Sequence, residues 1–179
     1  MSGARIHTFR TDWGWCGLAA TPAGLRRAII PSDTAREKIT LALAHEFPDA
    51  KKNSRPGNDA LIKKSIEMLR GYFSGEATEA DLPINLDGLT IFQRKVLCAT
   101  KNIPYGKTRT YSQIATAAGS PRAARAVGSA LGRNPLPIIV PCHRVVAASN
   151  LGGFSAPGGL SLKRKLLTLE QQIRPIAAH

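Results

Sequence analysis

Two short helical patterns, over residues 111–118 and 123–131, are separated only by Gly119, Ser120, Pro121 and Arg122. Helices joined by so short a Gly-containing break must turn sharply and pack on each other, the layout of a helix-turn-helix. Pro121 stands where a second helix would begin. That helix is built from Ala123, Ala124, Arg125, Ala126, Val127, Gly128, Ser129, Ala130 and Leu131. Small side chains let its backbone come close to whatever it touches. The pattern leaves open whether that is another helix of the same chain or a narrow groove of a ligand.

The first half reads differently. Ile6 to Phe9 alternates like a short strand. Residues 15–20 and 25–30 flank Thr21, Pro22, Ala23 and Gly24, a strand–turn–strand pattern. Ser32 and Asp33 are candidate caps for a helix over 34–47, with Ile39, Leu41, Leu43 and Phe47 among its apolar residues. Residues 48–57 are polar and turn-rich. Asn58 is the candidate cap of a second helix, in which Leu61, Ile62, Ile66, Leu69, Tyr72 and Phe73 recur at helical spacing until Gly75. Residues 77–87 read as a linker. The expected organisation is a mixed α/β chain of two parts, residues 1–85 and 86–179. In the second part Thr90 caps a helix over 91–101, with Phe92, Val96 and Leu97 on one face.

Charge divides at the same place. Residues 1–85 hold 12 basic and 10 acidic side chains, a net of +2, whereas residues 86–179 hold 13 and 2, a net of +11. Such asymmetry points to a polyanion as the partner of the second part. No apolar run reaches the length of a membrane span, and the first ten residues do not read as a secretion signal. Three cysteines, Cys16, Cys98 and Cys142, are too few and scattered for a disulfide framework. A reducing cytoplasm is the expected setting, in which Cys142 stays a thiol.

Pro141, Cys142, His143, Arg144 and Val145 carry the chemistry. A cysteine beside histidine and arginine is a candidate nucleophile, because positive charge favours thiolate over thiol. The apolar Pro137, Ile138, Ile139 and Val140 read as a buried strand or extended segment that delivers the cysteine to a pocket.

Three blocks extend this pentapeptide: IPYGKTRTYSQIA at 103–115, AARAVGSALGRNPLPIIVPCHRVV at 123–146, and GGLSLKRKLLTLE at 158–170. In order and spacing they resemble the O6-alkylguanine-DNA alkyltransferases. The resemblance implies a small ribonuclease H-like first domain. It also implies a mostly helical, winged-helix-like second domain that carries the helix-turn-helix. The implied activity is DNA repair by direct reversal: an alkyl group moves irreversibly from O6-alkylguanine, and from O4-alkylthymine, to Cys142. By the same resemblance His143 takes the thiol proton through a bridging water, Glu170 orients His143, Asn134 ties the helix pair to the cysteine loop, and Tyr111 serves the departing guanine. Arg125 fills the space of a flipped nucleotide. Ala123, Ala124, Ala126 and Gly128 face the minor groove. Arg122 and Arg133, with Lys107 and Arg109, are candidates for phosphate contact. Pro137, Val145, Phe154 and Ser155 are expected around the alkyl pocket.

The loop at 153–159 is longer than the shortest family version, which leaves its register and the accepted alkyl size open. His7, Cys16 and His45 have no close ligand spacing, so no metal and no cofactor are expected. The expected partner is duplex DNA containing O6-alkylguanine, bound by a monomer, with no membrane involved. Whether copies assemble cooperatively on DNA is left open. The alternative is a lesion-binding helix-turn-helix module without alkyl transfer. An ordinary Cys-His-Glu hydrolase would leave the alanine-rich helix and Arg125 without a purpose.

Overall fold

The computed structural model describes residues 3–31, 34–52, 59–77 and 80–172. They form a mixed α/β protein of two compact units, Met1–Leu86 and Asp87–His179. The first unit is a four-stranded sheet carrying two helices. Strands β1 (Arg5–Thr11), β2 (Gly14–Thr21) and β3 (Gly24–Ile29) form an antiparallel meander, and β4 (Lys51–Lys52) pairs parallel to β1, giving the order β3-β2-β1-β4. Gly24, at φ +131°, turns β2 into β3, and a side chain there would strike the Pro83 carbonyl.

Helix α1 (Arg36–Glu46) places Ile39 and Leu43 against Ile6 and Ala19 of the sheet. Leu41, on the other side of the helix, is exposed. Helix α2 (Ala60–Ser74) begins at Asp59, whose side chain accepts from the Ile62 amide, and ends at Gly75 in the left-handed conformation. The candidate caps Ser32, Asp33 and Asn58 lie outside the described residues.

The expected linker is corrected in part. Leu82 and Leu86 are buried, Ile84 bridges Leu25, and the Leu25 amide donates to the Pro83 carbonyl. Residues 82–86 therefore complete the edge of the first unit beside β3.

In the second unit, α3 (Ile91–Lys101) buries Val96 and Leu97. A two-residue strand, β5 (Arg109–Thr110), leads into α4 (Tyr111–Ala117), followed by α5 (Ala124–Leu131). Both α3 and α4 start with a reciprocal capping box, Thr90 with Gln93 and Thr110 with Gln113. Pro121 is not a helix start. It lies in the turn, and α5 begins at Ala124 with Ala123 as its cap.

A single 3-10 turn (Cys142–Arg144) follows. Strand β6 (Val145–Val146) pairs parallel to β5, and α6 (Gly159–Gln172) packs on the 3-10 turn. Residues 137–140 are not a strand either. Pro137 bridges Val140 across a tight turn in which Ile138 has φ +70°. A β-branched residue there is strained, and tertiary contacts must hold it. Asn134 supplies one, donating from its side-chain amide to the Val140 carbonyl at 2.8 Å while its Oδ1 accepts from the Leu136 amide at 3.0 Å. Among the described residues no helix is long and apolar enough to cross a membrane.

Candidate active site

The 3-10 turn sends successive side chains to different places. Cys142 is half-buried and lines a cleft of about 510 Å³ with Tyr111, Arg125, Gly128, Phe154 and Ser155. His143 turns inward and is wholly buried, with Nε2 2.6 Å from Glu170 Oε1. A carboxylate at neutral pH can only accept, so Nε2 carries the proton and Nδ1 is the basic nitrogen. Burial lowers the His143 pKa, against the pull of Glu170, which keeps the imidazole neutral and able to take a proton.

Glu170 is the hub. Besides His143 it accepts from Arg144 Nε at 2.9 and 3.1 Å and from the Gly106 amide at 3.1 Å. Burial alone would raise its pKa. The His143 hydrogen bond and the Arg144 guanidinium outweigh burial and hold it at about 2. Arg144 also donates to the Ile103 carbonyl at 2.6 Å and lies over the Tyr105 ring. It is thus committed to Glu170 and the 103–106 turn.

That commitment corrects the origin of the charge acting on sulfur. The cation felt by Cys142 is Lys163 of α6, not its sequence neighbours. Lys163 is fully buried. Its Nζ donates to the carbonyls of Val145 at 2.6 Å and Gly153 at 3.1 Å and lies 5.9 Å from the centre of the Tyr111 ring. Burial pulls its pKa down to about 8, opposed by Cys142. Burial likewise raises the Cys142 thiol. Asn134, Lys163 and the backbone amides of Cys142 and His143 work in the opposite direction. Burial therefore favours the thiol form of Cys142 and the neutral form of His143.

Sequence reasoning missed Lys163. The available signal was helical spacing: Lys163, Leu166, Leu167 and Glu170 share the buried stripe of α6. It also missed Gly152, at φ +68°, where a side chain would lie 2.7 Å from the Tyr111 ring. Tyr111 packs there and donates its hydroxyl to the Gly153 carbonyl at 3.3 Å. Ser155 Oγ donates to the Gly132 carbonyl at 3.1 Å, fastening the 153–155 loop to the end of α5.

The remaining candidates are spread over this unit. Ala124, Arg125 and Gly128 line the Cys142 cleft, with Leu131 and Gly132. Ala123 caps α5, and Ala126 is exposed on it. Arg122 and Arg133 are exposed in the turns before and after α5, and Lys107 and Arg109 are exposed before α4. Pro137 and Val145 are not among the residues of the cleft. Pro137 lies in the strained turn, and Val145 is buried in β6. Among the described residues no three His, Cys, Asp or Glu side chains cluster as metal ligands.

A helix pair presenting a cleft that a cysteine lines, with a buried His–Glu pair adjoining it, defines the class of proteins whose own cysteine accepts a transferred group. Residues 91–172 match the family described as 6-O-methylguanine DNA methyltransferase, DNA binding domain. A methylated-DNA–protein-cysteine methyltransferase of Mycolicibacterium paratuberculosis is 51% identical over 119 residues, covering 66% of this chain and 70% of that protein. One from Methanosarcina acetivorans is 46% identical over 114 residues, covering 63% and 71%. The crystal structure of Mycobacterium tuberculosis O6-methylguanine methyltransferase superposes with a TM-score of 0.75 at 36% identity, covering 97% of this chain and 96% of that one. Mycobacterium tuberculosis OGT in complex with DNA gives 0.71 at 38% identity, covering 93% and 92%. The chain belongs to the methylated-DNA–protein-cysteine methyltransferase family.

Proposed function

We propose that this protein repairs duplex DNA by moving the alkyl group of O6-alkylguanine, and of O4-alkylthymine, onto Cys142, once per molecule. The observation that carries the reading is the cysteine on the floor of an open cleft, backed by a buried imidazole whose Nε2 is held by Glu170.

The thiol proton passes through a bridging water to His143 Nδ1. The sulfur lone pair attacks the alkyl carbon in line, a carbon–sulfur bond forms, and the carbon–oxygen bond to guanine breaks. The electron pair of that bond stays with guanine, where the Tyr111 hydroxyl donates to the ring as negative charge develops. To do so Tyr111 gives up its hydrogen bond to Gly153. Lys163 stabilises the transient thiolate. The product is a thioether, with no leaving group to regenerate the thiol, so each chain acts once. Asn134 holds the 137–140 turn and thereby positions the nucleophile.

The target base must leave the helical stack to reach Cys142, at a cost of a few kcal/mol. Arg125 stands at the cleft on α5 and offsets part of it by occupying the vacated place. Ala123, Ala124, Ala126 and Gly128 suit a groove only about 6 Å wide. Arg122, Arg133, Lys107 and Arg109 are available for phosphates, whose contacts carry most of the affinity and none of the sequence preference. On this reading α4 and α5 are a helix-turn-helix within a winged-helix-like DNA-binding and alkyl-acceptor domain. Residues 1–85 form a ribonuclease H-like domain, a reading supported by the sheet order β3-β2-β1-β4 with two helices. Phe154 and Ser155 line the alkyl end of the cleft. A cytoplasmic location keeps Cys142 reduced.

Incubation with duplex DNA carrying labelled O6-methylguanine tests the proposal. Label moves to the protein and does so no longer in Cys142→Ser. Tight binding to the lesion without label transfer would instead make the chain a lesion-binding module.

A further inference from the structure

A second cleft, of about 510 Å³, lies in the first unit along β1, between α1 and α2. His7, Phe9 and Arg10 of β1, Trp15 of β2, Arg36 of α1, and Lys63, Glu67 and Arg70 of α2 are among its lining residues. Four of these are cations at neutral pH and one is a carboxylate, Glu67, 4.0 Å from Lys63 Nζ.

Two of the cations are held in place. Arg36 donates from Nε to Thr8 Oγ1 at 3.3 Å and lies 5.2 Å from the centre of the Trp15 ring. Arg70 donates from Nε to the Arg10 carbonyl at 3.2 Å and lies 6.0 Å from that of Phe9. In each guanidinium the Nε is used by the protein, whereas the forked terminal nitrogens suit the oxygens of a phosphate. Aromatic support fixes both planes and reduces the entropy lost when an anion is gripped.

The third element is His7. Its side chain is 4% exposed, and its Nε2 has no hydrogen-bond partner among the described residues. Burial lowers its pKa, so the imidazole is neutral and can donate or accept. A buried polar atom left without a partner carries a desolvation penalty, which a ligand atom can relieve.

We propose that this cleft binds a nucleotide-sized phosphate ester, its phosphate on Arg36 and Arg70 and its polar edge toward His7. The volume fits a nucleoside monophosphate and exceeds what a bare anion fills. Alkyl transfer at Cys142 does not depend on this site, so the two readings stand or fall separately.

Trp15 reports on the cleft directly. The chain has two tryptophans, Trp13 and Trp15, and Trp13→Phe leaves the cleft indole as the one tryptophan, excited selectively at wavelengths beyond tyrosine absorption. Full-length Trp13→Phe protein is titrated with 2′-deoxyadenosine 5′-monophosphate in a phosphate-free buffer. Emission is expected to change saturably, inorganic phosphate to compete, and deoxyadenosine without its phosphate to give no saturable change. Adding Arg36→Gln and Arg70→Gln, both at exposed positions, should weaken binding by at least about tenfold. Lys38→Glu, on α1 but outside the cleft, should leave it unchanged. Far-UV circular dichroism verifies that each variant is folded.

A short single-stranded oligonucleotide that also competes assigns the phosphate ester to a nucleic-acid strand. Competition by the mononucleotide alone assigns it to a free nucleotide. Both support the site. Equal binding by the double Arg variant, equal binding of nucleoside and nucleotide, or no response at all overturns it.

Discussion

Lys163 Nζ donates to the carbonyls of Val145 and Gly153, and its charge opposes the burial that raises the Cys142 thiol. Removing that charge while keeping most of the bulk, as in Lys163→Met, should move the apparent thiol pKa upward. Reaction with iodoacetamide at neutral pH should slow by roughly tenfold. The sign of the pH dependence is fixed by Lys163 itself. Its own pKa is about 8, so its charge is present below that value and lost above it. The profiles of the two proteins should therefore diverge below pH 8 and converge above it. Identical profiles across the range would remove Lys163 from the chemistry. Arg144 should not behave this way, because its guanidinium is spent on Glu170, Ile103 and Tyr105.

On the proposed reading, helices α4 and α5 divide the work between holding and reaching. The capping box of Thr110 and Gln113 fixes the start of α4, where Tyr111 sits, and Thr110→Ala should cost about 1 kcal/mol in a urea unfolding curve. Arg125 is exposed on α5 at the cleft. Arg125→Ala should slow repair of duplex DNA by on the order of a hundredfold if it offsets most of the flipping cost. Attack on free O6-benzylguanine, which needs no flipping, should hardly change. Equal losses on both substrates would place Arg125 in the pocket and not in the duplex.

These elements were readable from the sequence because their signals are local. Thr90 and Thr110 announce α3 and α4 through the glutamine three residues on, and Gly75 ends α2 by the left-handed conformation it adopts. Cys142, His143 and Glu170 stood out through a resemblance that spans most of the second half. What stayed hidden depends on distant contacts. Four residues of strand-forming composition at 137–140 fold as a turn because Asn134 holds the Val140 carbonyl and Ile138 takes a left-handed conformation. Lys163 is one of three consecutive bases in α6, and only the fold shows that it is buried with its Nζ on the Val145 and Gly153 carbonyls.

At the scale of the molecule, Glu170 joins three parts of the second unit: the 103–106 turn through Gly106, the 142–144 turn through His143 and Arg144, and α6 that bears it. Its carboxyl is held at about 2, below the ordinary value of 4.5. In the unfolded chain it binds its proton first as pH falls, so its contribution to stability is full above about 4.5 and is lost on descending to about 2. Urea midpoints should fall through that window. Glu170→Gln should start lower by on the order of 3 kcal/mol, having stranded two buried partners, and should have a flatter acid profile. Parallel acid profiles for the two proteins would mean that other carboxylates govern the transition.

Stoichiometry is the most direct test of alkyl transfer to Cys142. The protein is mixed with a large excess of duplex DNA containing labelled O6-methylguanine, and repaired guanine is counted against chains until the reaction stops. A plateau at one repaired base per chain, with the label recovered on the peptide that contains Cys142, is the expected result. Continued turnover beyond one, or label on Cys16 or Cys98, would contradict it.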